Sequence, residues 1–368
     1  MAKAGILPDT EIAALFEGGA LASDAALDPD QIQPASLDLR LGTTAYRVRA
    51  SFLPGARPVA DKLSALKLHE IDLSGGAVLE TGCVYIVPLM ERLALPDDIS
   101  ASANPKSSTG RLDIFTRVMT DHGREFDKIG AGYSGPLYLE VSPRTFPIVV
   151  RAGSRLSQVR FRRGTPLLDA EDLAGLHARQ TLVASDEPNI SGGGIALSID
   201  LRGDPNGLVG YRAKHHTAVV DVDVKAAHDV LDFWDPLYVR GTGELVLDPD
   251  EFYILASREA VHVPPDYAAE MTPFDPLVGE FRVHYAGFFD PGFGHSAAGG
   301  TGSRAVLEVR SHEVPFILEH GQTVGRLVYE HMLSRPKKLY GSALSSNYQA
   351  QGLKLSKHFR AGDEIIAH

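Results

Sequence analysis

The feature that most narrows the folds open to this sequence is its repetition of itself. Leu79-Glu80-Thr81-Gly82-Cys83-Val84-Tyr85-Ile86-Val87 matches Leu247-Asp248-Pro249-Asp250-Glu251-Phe252-Tyr253-Ile254-Leu255 at a shift of 168 residues. The same shift carries Leu139-Glu140-Val141 onto Leu307-Glu308-Val309, Phe146-Pro147-Ile148 onto Val314-Pro315-Phe316, and Gly153 onto Gly321. Upstream, Ser36-Leu37-Asp38-Leu39-Arg40 resembles Ser198-Ile199-Asp200-Leu201-Arg202 at a shift of 162. One offset across separated blocks implies two copies of one fold. At 368 residues the chain is long enough for two cores. The expected domains are residues 1–168 and 169–368, joined near residues 165–195.

Alternating, β-branched and aromatic segments predict strands at Tyr138–Val141, Ile148–Arg151, Gln158–Phe161, Ala218–Val224 and Arg326–Tyr329. The 36 Gly and 23 Pro supply the punctuation that many short strands need. Helices are expected to be few: Thr10–Gly18 with Asp9 or Thr10 as N-cap, and shorter pieces at Ala170–Gln180 and Lys225–Leu231. The fold class that follows is mainly β, with a barrel in each half and a few short helices, in preference to a doubly wound α/β sheet.

Charge divides unevenly between the copies. Residues 1–168 balance, so residues 169–368 hold the whole net charge of -11. A nucleic-acid scaffold is not expected from that balance, because phosphate contacts need a positive face. A polyanion site belongs in the first half, where Arg151, Arg155, Arg160, Arg162 and Arg163 form a basic run; a solvated strand face is the alternative. The one cysteine, Cys83, sits in an apolar run and reads as a small core residue. It excludes a disulfide framework within the chain and a thiolate zinc cluster. The 14 histidines show no metal-ligand spacing. No apolar run approaches a membrane span and the start lacks a signal-peptide pattern, so a cytoplasmic location is the default expectation.

The densest polar cluster is Asn104-Pro105-Lys106-Ser107-Ser108-Thr109-Gly110-Arg111. Two hydroxyls between cations at 106 and 111 offer donors and charge at the spacing of a loop that wraps phosphate oxygens. A Ser/Thr-rich turn with incidental charges is the alternative. It is not a Walker loop, because the glycines that precede Lys-Ser there are missing.

Taken together, Ser36-Leu37-Asp38-Leu39-Arg40, Lys106-Ser107-Ser108 with Arg111, Asp127 with Gly132-Tyr133-Ser134-Gly135, Leu139-Glu140-Val141 and Tyr348-Gln349-Ala350-Gln351 resemble the dCTP deaminase family in order and rough spacing. That family belongs to the trimeric dUTPase-like superfamily, and the chain is similar to its long, tandem form. The resemblance implies two dUTPase-like (β-clip) distorted β-barrel repeats and hydrolytic deamination of dCTP to dUTP and ammonia, feeding thymidylate synthesis. It implies Glu140 as the proton-shuttling carboxylate, with Ser107 and Arg111 beside it as catalytic residues. Lys106 and Ser108 would join them on the phosphates; Lys106 stands where many relatives carry arginine and lacks the bidentate fork. Arg117, Val118 and Thr120 resemble the strand that reads the cytosine edge. Asp127 and Tyr133 resemble the residues that meet the deoxyribose, and Tyr348 and Gln351 the tail that closes over the triphosphate. Mg2+ would enter on the nucleotide, with no metal ligand from protein side chains. Zinc deaminases need a Pro-Cys-x-x-Cys that one cysteine cannot supply. A homo-oligomer with three-fold symmetry is implied, with neither nucleic acid nor membrane as partner.

The second copy keeps Glu308, but Pro273-Phe274-Asp275-Pro276-Leu277 stands where the cradle should be, without a hydroxyl pair. It is expected to be degenerate and to lend its tail to a competent first repeat. Gly292-Phe293-Gly294-His295-Ser296 with Gly299-Gly300-Thr301-Gly302 reads as an expanded hairpin loop. The rival activities are cleavage of dUTP to dUMP, alone or after deamination, and a nucleotide sensor without turnover; Glu140 favours deamination.

Overall fold

In the computed structural model the described residues are 4–360 apart from 186, 240, 242, 274–280, 285–286, 312 and 342–351. The repeat is visible as duplicated sheets. In the first copy one sheet runs Lys67–Asp72, Thr44–Val48, Val84–Ala94, Ser134–Pro143, Ile114–Thr120; in the second it runs Trp234–Tyr238, Leu208–Ala213, Phe252–Val261, Ser303–Ser311, Phe281–His284. A second sheet places Arg155–Arg163 between Leu37–Arg40 and Ile99–Pro105, with Lys128–Ile129 outermost. Its counterpart places Thr323–His331 between Gly194–Ser198 and Tyr267–Pro273, with Phe288–Phe289 outermost.

Hydrogen-bond register dates the match to the residue. Glu140 lies opposite Ile86 and Glu308 opposite Ile254; Asn104 opposite Gln158 and Thr272 opposite Arg326. Both pairs keep the 168 offset. Lys128 faces Ser102, however, whereas Phe288 faces Glu270, so the offset there is 160. The second copy has the shorter connection before this strand and recovers the difference in the glycine-rich stretch after it.

Each of the expected strands falls on or overlaps an observed one, although only Val220–Asp221 of 218–224 is paired. The first helix is Asp9–Glu17, with Asp9 inside it: its carboxylate accepts from the backbone N–H of Thr10, Lys337 and Lys338. Ala170–Arg179 is capped by Asp169, whose side chain accepts from Asp172 N–H. Of 225–231 only Val230–Phe233 is helical, and Val59–Leu66 and Ser107–Gly110 are helices the sequence pattern did not predict. Cys83 is only partly buried, at the edge of the first core. Among the described residues no helix is long and apolar enough to cross a membrane.

The copies share a core as well as a pattern. Val220–Asp221 of the second adds in parallel to Ile148–Val150 of the first, whose other edge pairs antiparallel with Ala77–Leu79. Phe146 packs edge-on against Phe233, Trp234 and Phe359, with centroids 5.6, 5.4 and 6.4 Å away. The basic run also serves this junction. Arg151 pairs with Asp221 and Asp223, Arg155 with Asp30 and Asp38, Arg160 with Asp290 and Glu330, Arg162 with Glu330, and Arg163 with Asp98. The run is therefore not an idle solvated face: its cations pair with carboxylates, mostly from the other copy, and only Arg155 of the five lines the cavity between the copies.

Removing a fully buried aromatic ring leaves a cavity that surrounding side chains fill only in part, at about 3–5 kcal/mol. Phe146→Ala is expected to lose about that much in urea unfolding. Because its ring touches both copies, the loss should appear as a shift of one transition, and a shift confined to a separate first-copy transition would contradict the shared core.

Candidate active site

Strand Ile99–Pro105 ends in the one-turn helix Ser107–Gly110, which swings Arg111 inward before strand Ile114–Thr120 begins. Arg111 is nearly fully buried and its Nη1 donates to the Lys354 carbonyl at 2.8 Å. Ser108 is backed in the same way: its carbonyl accepts from Ser356 Oγ at 2.8 Å. The chain beyond residue 351 thus returns across the first copy and holds the cradle from behind. His358 anchors it, pairing with Ser356 Oγ through Nδ1 and with the Val222 carbonyl through Nε2. Burial pushes the His358 imidazole down to about 4, so it is neutral at physiological pH.

Lys106, Ser107, Ser108 and Arg111 line a cavity of about 300 Å3, together with Arg155, Lys225 and Lys357. Lys106 is ion-paired to the buried Asp38, which Arg155 also approaches at 3.4 Å. Lys357 is pushed down to about 8, first by burial and then by the neighbouring cations Lys106 and Lys225. Cations that lower one another's affinity for protons make this end of the cavity a place where negative charge is favoured.

The opposite wall comes from the second copy: Met271, Gly287, Phe288, Phe289, Asp290, Phe293, Val306, Glu308 and Tyr340. Asp290-Pro291-Gly292-Phe293 is a tight turn, closed by Phe293 N–H to the Asp290 carbonyl at 3.0 Å. Gly292 has φ +98°, and a Cβ there would meet Tyr340 backbone at 3.1 Å, so the turn requires glycine. Burial pushes the Asp290 carboxyl up, opposed by Arg160. Glu308 projects from strand Ser303–Ser311 with Oε1 4.0 Å from Arg111 Nε. Burial pushes its carboxyl up to about 8, with Arg111 opposing and Asp113 adding to the rise.

The acid that reaches the cradle within one chain is therefore Glu308. Glu140, the acid expected there, is absent from the wall of this cavity and lies 3.0 and 2.5 Å from Nε and Nη2 of Arg117. Arg117 in turn stacks on Phe126 at 3.6 Å and Phe115 at 4.7 Å. Asp127 and Val118 lie near this pair, and neither they nor Thr120 and Tyr133 line the cavity. Asp127 Oδ1 accepts from Val118 N–H at 2.7 Å and its carboxyl is raised to about 7 by burial. Tyr133 hydroxyl donates to the Pro136 carbonyl at 2.6 Å, and burial lifts it to about 12. Thr120 is buried and its carbonyl accepts from Gly123 N–H. Tyr348, Gln351 and Phe274 to Leu277 lie outside the described residues.

Register supplies the residues the sequence pattern missed. At the 160 offset Asp290 corresponds to Gly130 and Gly287 to Asp127; Phe293 corresponds to Tyr133, since Leu95 N–H donates to the Tyr133 carbonyl and Val263 N–H to that of Phe293. The second copy thus carries an acid in the cavity wall where the first has glycine. Acids from the second copy and the Lys106 to Arg111 stretch of the first line one cavity between the copies.

Residues 3–165 match the family model for the 2'-deoxycytidine 5'-triphosphate deaminase (DCD) N-terminal domain, and residues 169–359 match that for its C-terminal domain. The chain belongs to the dCTP deaminase family. It is similar to a 2'-deoxycytidine 5'-triphosphate deaminase structure from Agrobacterium tumefaciens, with 75% identity and a TM-score of 0.86 over 91% of this chain and 99% of that one. Curated relatives include a dCTP deaminase of Haloarcula marismortui, 34% identical over 42% of this chain and 79% of its own length. Another is a "dCTP deaminase, dUMP-forming" of Clavibacter michiganensis, 31% identical over 43% of this chain and 76% of its own. As a deaminase of this family the protein is an enzyme of nucleotide metabolism, mainly β in fold.

For this deaminase the cradle makes a direct prediction. Arg111→Ala removes a buried guanidinium from the anionic end and is expected to weaken dCTP binding by about tenfold to a hundredfold. Equilibrium binding measures it, and an unchanged affinity removes Arg111 from the phosphate grip.

Proposed function

We propose that the enzyme hydrolyses dCTP to dUTP and ammonia in the cavity between the copies, with Glu308 moving the protons. The triphosphate lies on Lys106, Ser107, Ser108 and Arg111, and the cytosine points toward Glu308. The single observation that supports this reading is the 4.0 Å approach of Glu308 to Arg111 in the wall of one cavity. The ionised carboxylate takes a proton from water as the oxygen bonds to C4, and passes it to ring N3. It then carries the hydroxyl proton to the amino group as the C4–N bond breaks, leaving a carbonyl and ammonia. A carboxyl with its pKa near neutrality is suited to giving and taking the same proton. Asp290 assumes the sugar-facing role expected of Asp127, as an acceptor for the deoxyribose hydroxyl, and Phe293 occupies the place expected of Tyr133.

Mg2+ is proposed to enter on the triphosphate. The carboxylate nearest the cradle, Asp38, is already committed to Lys106, and among the described residues no three His, Cys, Asp or Glu side chains gather as a metal nest. The nucleotide oxygens then supply the ion's ligands. A symmetric three-fold homo-oligomer is the proposed assembly. Since some relatives bear the name dUMP-forming, dUTP release is the part of this reading that chromatography of the products decides: diphosphate and dUMP in place of dUTP would overturn it.

Glu308→Gln is expected to bind dCTP and to lose deamination by several orders of magnitude, whereas Glu140→Gln should keep most turnover. Ammonia release from the two variants reads this out, and the reverse ranking would return the catalytic role to Glu140. A second expectation follows from the raised pKa of Glu308, about 8. The base must be ionised, so kcat/KM should climb as pH rises and level off above about 8. A profile that falls over that interval would make Glu308 an acid in the first step.

A further inference from the structure

Arg160 is fully buried yet belongs to neither the cradle nor the acid. It leaves the first copy on strand Arg155–Arg163 and reaches the back of the second-copy wall. Its Nη1 donates to the Ala269 carbonyl at 3.0 Å, and its Nη2 to the Phe289 carbonyl at 3.4 Å and Asp290 Oδ1 at 3.3 Å. Its guanidinium lies 4.0 Å over the Phe288 ring, and Glu330 Oε2 is 3.6 Å from Nη1. Phe288, Phe289 and Asp290 are all cavity residues, so one side chain fixes three consecutive positions of the wall. At the 168 offset the second copy has Val328, and the position that answers Asp290 is Gly130. The cation and the acid it holds occur together, on opposite sides of one interface.

We propose that Arg160 is a positioning residue for the sugar end of the dCTP site: it aims Asp290 as an acceptor for the deoxyribose 3'-hydroxyl. This rests on the proposed reading of Asp290. A carboxyl as buried as Asp290 is driven toward its neutral form, and the opposing charge in contact with it is Arg160. Arg155, Lys106 and Asp38 belong to the far side of the same cavity and pair among themselves. A buried arginine with planar, multiple donors suits this task, because it can satisfy two carbonyls and a carboxylate in one geometry.

The test compares dCTP with its 2',3'-dideoxy analogue in the full-length enzyme. Asp290→Asn should raise KM for dCTP about tenfold or more while leaving the dideoxy analogue nearly unaffected. Arg160→Met should reproduce that selective loss, mainly in KM with a smaller change in kcat. Arg162→Met, which removes another cation that approaches Glu330 at 3.7 Å, should show no selectivity between the two nucleotides. Arg160→Lys keeps charge but not the fork; it is expected to fall between Met and wild type, and carries the test should Arg160→Met not fold. Equal losses for both nucleotides in the Arg160 variants, with selective loss in Asp290→Asn, would reduce Arg160 to a structural residue and leave the site reading intact. No selectivity in Asp290→Asn would overturn the sugar contact and the positioning role with it.

Discussion

Glu308 and Arg111 are both almost entirely out of solvent, come from different copies of the repeat, and stand 4.0 Å apart. Isolating the Arg111 guanidinium in the interior would cost several kcal/mol. The two groups meet at the interface, in the wall of a cavity that both copies line. The shared aromatic core, the parallel strand from the second copy and the arginine pairs along strand Arg155–Arg163 all serve to hold that juxtaposition. The cavity draws its lining from both copies, so neither barrel alone would form it.

Much of the architecture is legible in the sequence, because the repeat offset, strand patterning and turn residues are local properties. The cradle is legible for the same reason: Lys106 to Arg111 is one continuous stretch. The site as a whole is not, because it is assembled from stretches about 200 residues apart in number. Glu308 is visible as the partner of Glu140, yet a search confined to one copy sets it aside once the second copy shows no hydroxyl pair. Asp290 is hidden by arithmetic. At the constant offset Asp127 aligns with His295, and only hydrogen-bond register shows that the offset changes there to 160. An Asp-Pro-Gly turn with an aromatic after it was the available clue. The basic run misleads in the opposite direction, since sequence displays its charges and not the carboxylates that meet them.

The two copies have diverged in complementary ways. The first retains hydroxyls and cations and has glycine where the second has Asp290; its own buried glutamate is engaged by Arg117. The second retains Glu308 and the acidic turn, and carries Asp275 in the stretch that answers the cradle. Each copy thus brings to the cavity side chains that the other lacks.

The strand of contacts from Lys354 and Ser356 back to Arg111 and Ser108 gives this enzyme a temporal order. Those partners are separated by 243 and 248 residues. A ribosome that has finished the first barrel has made Lys106 to Arg111 without the residues that back them. The cavity is lined as far along the chain as Lys357, so it is complete only after nearly all of this polypeptide has been translated.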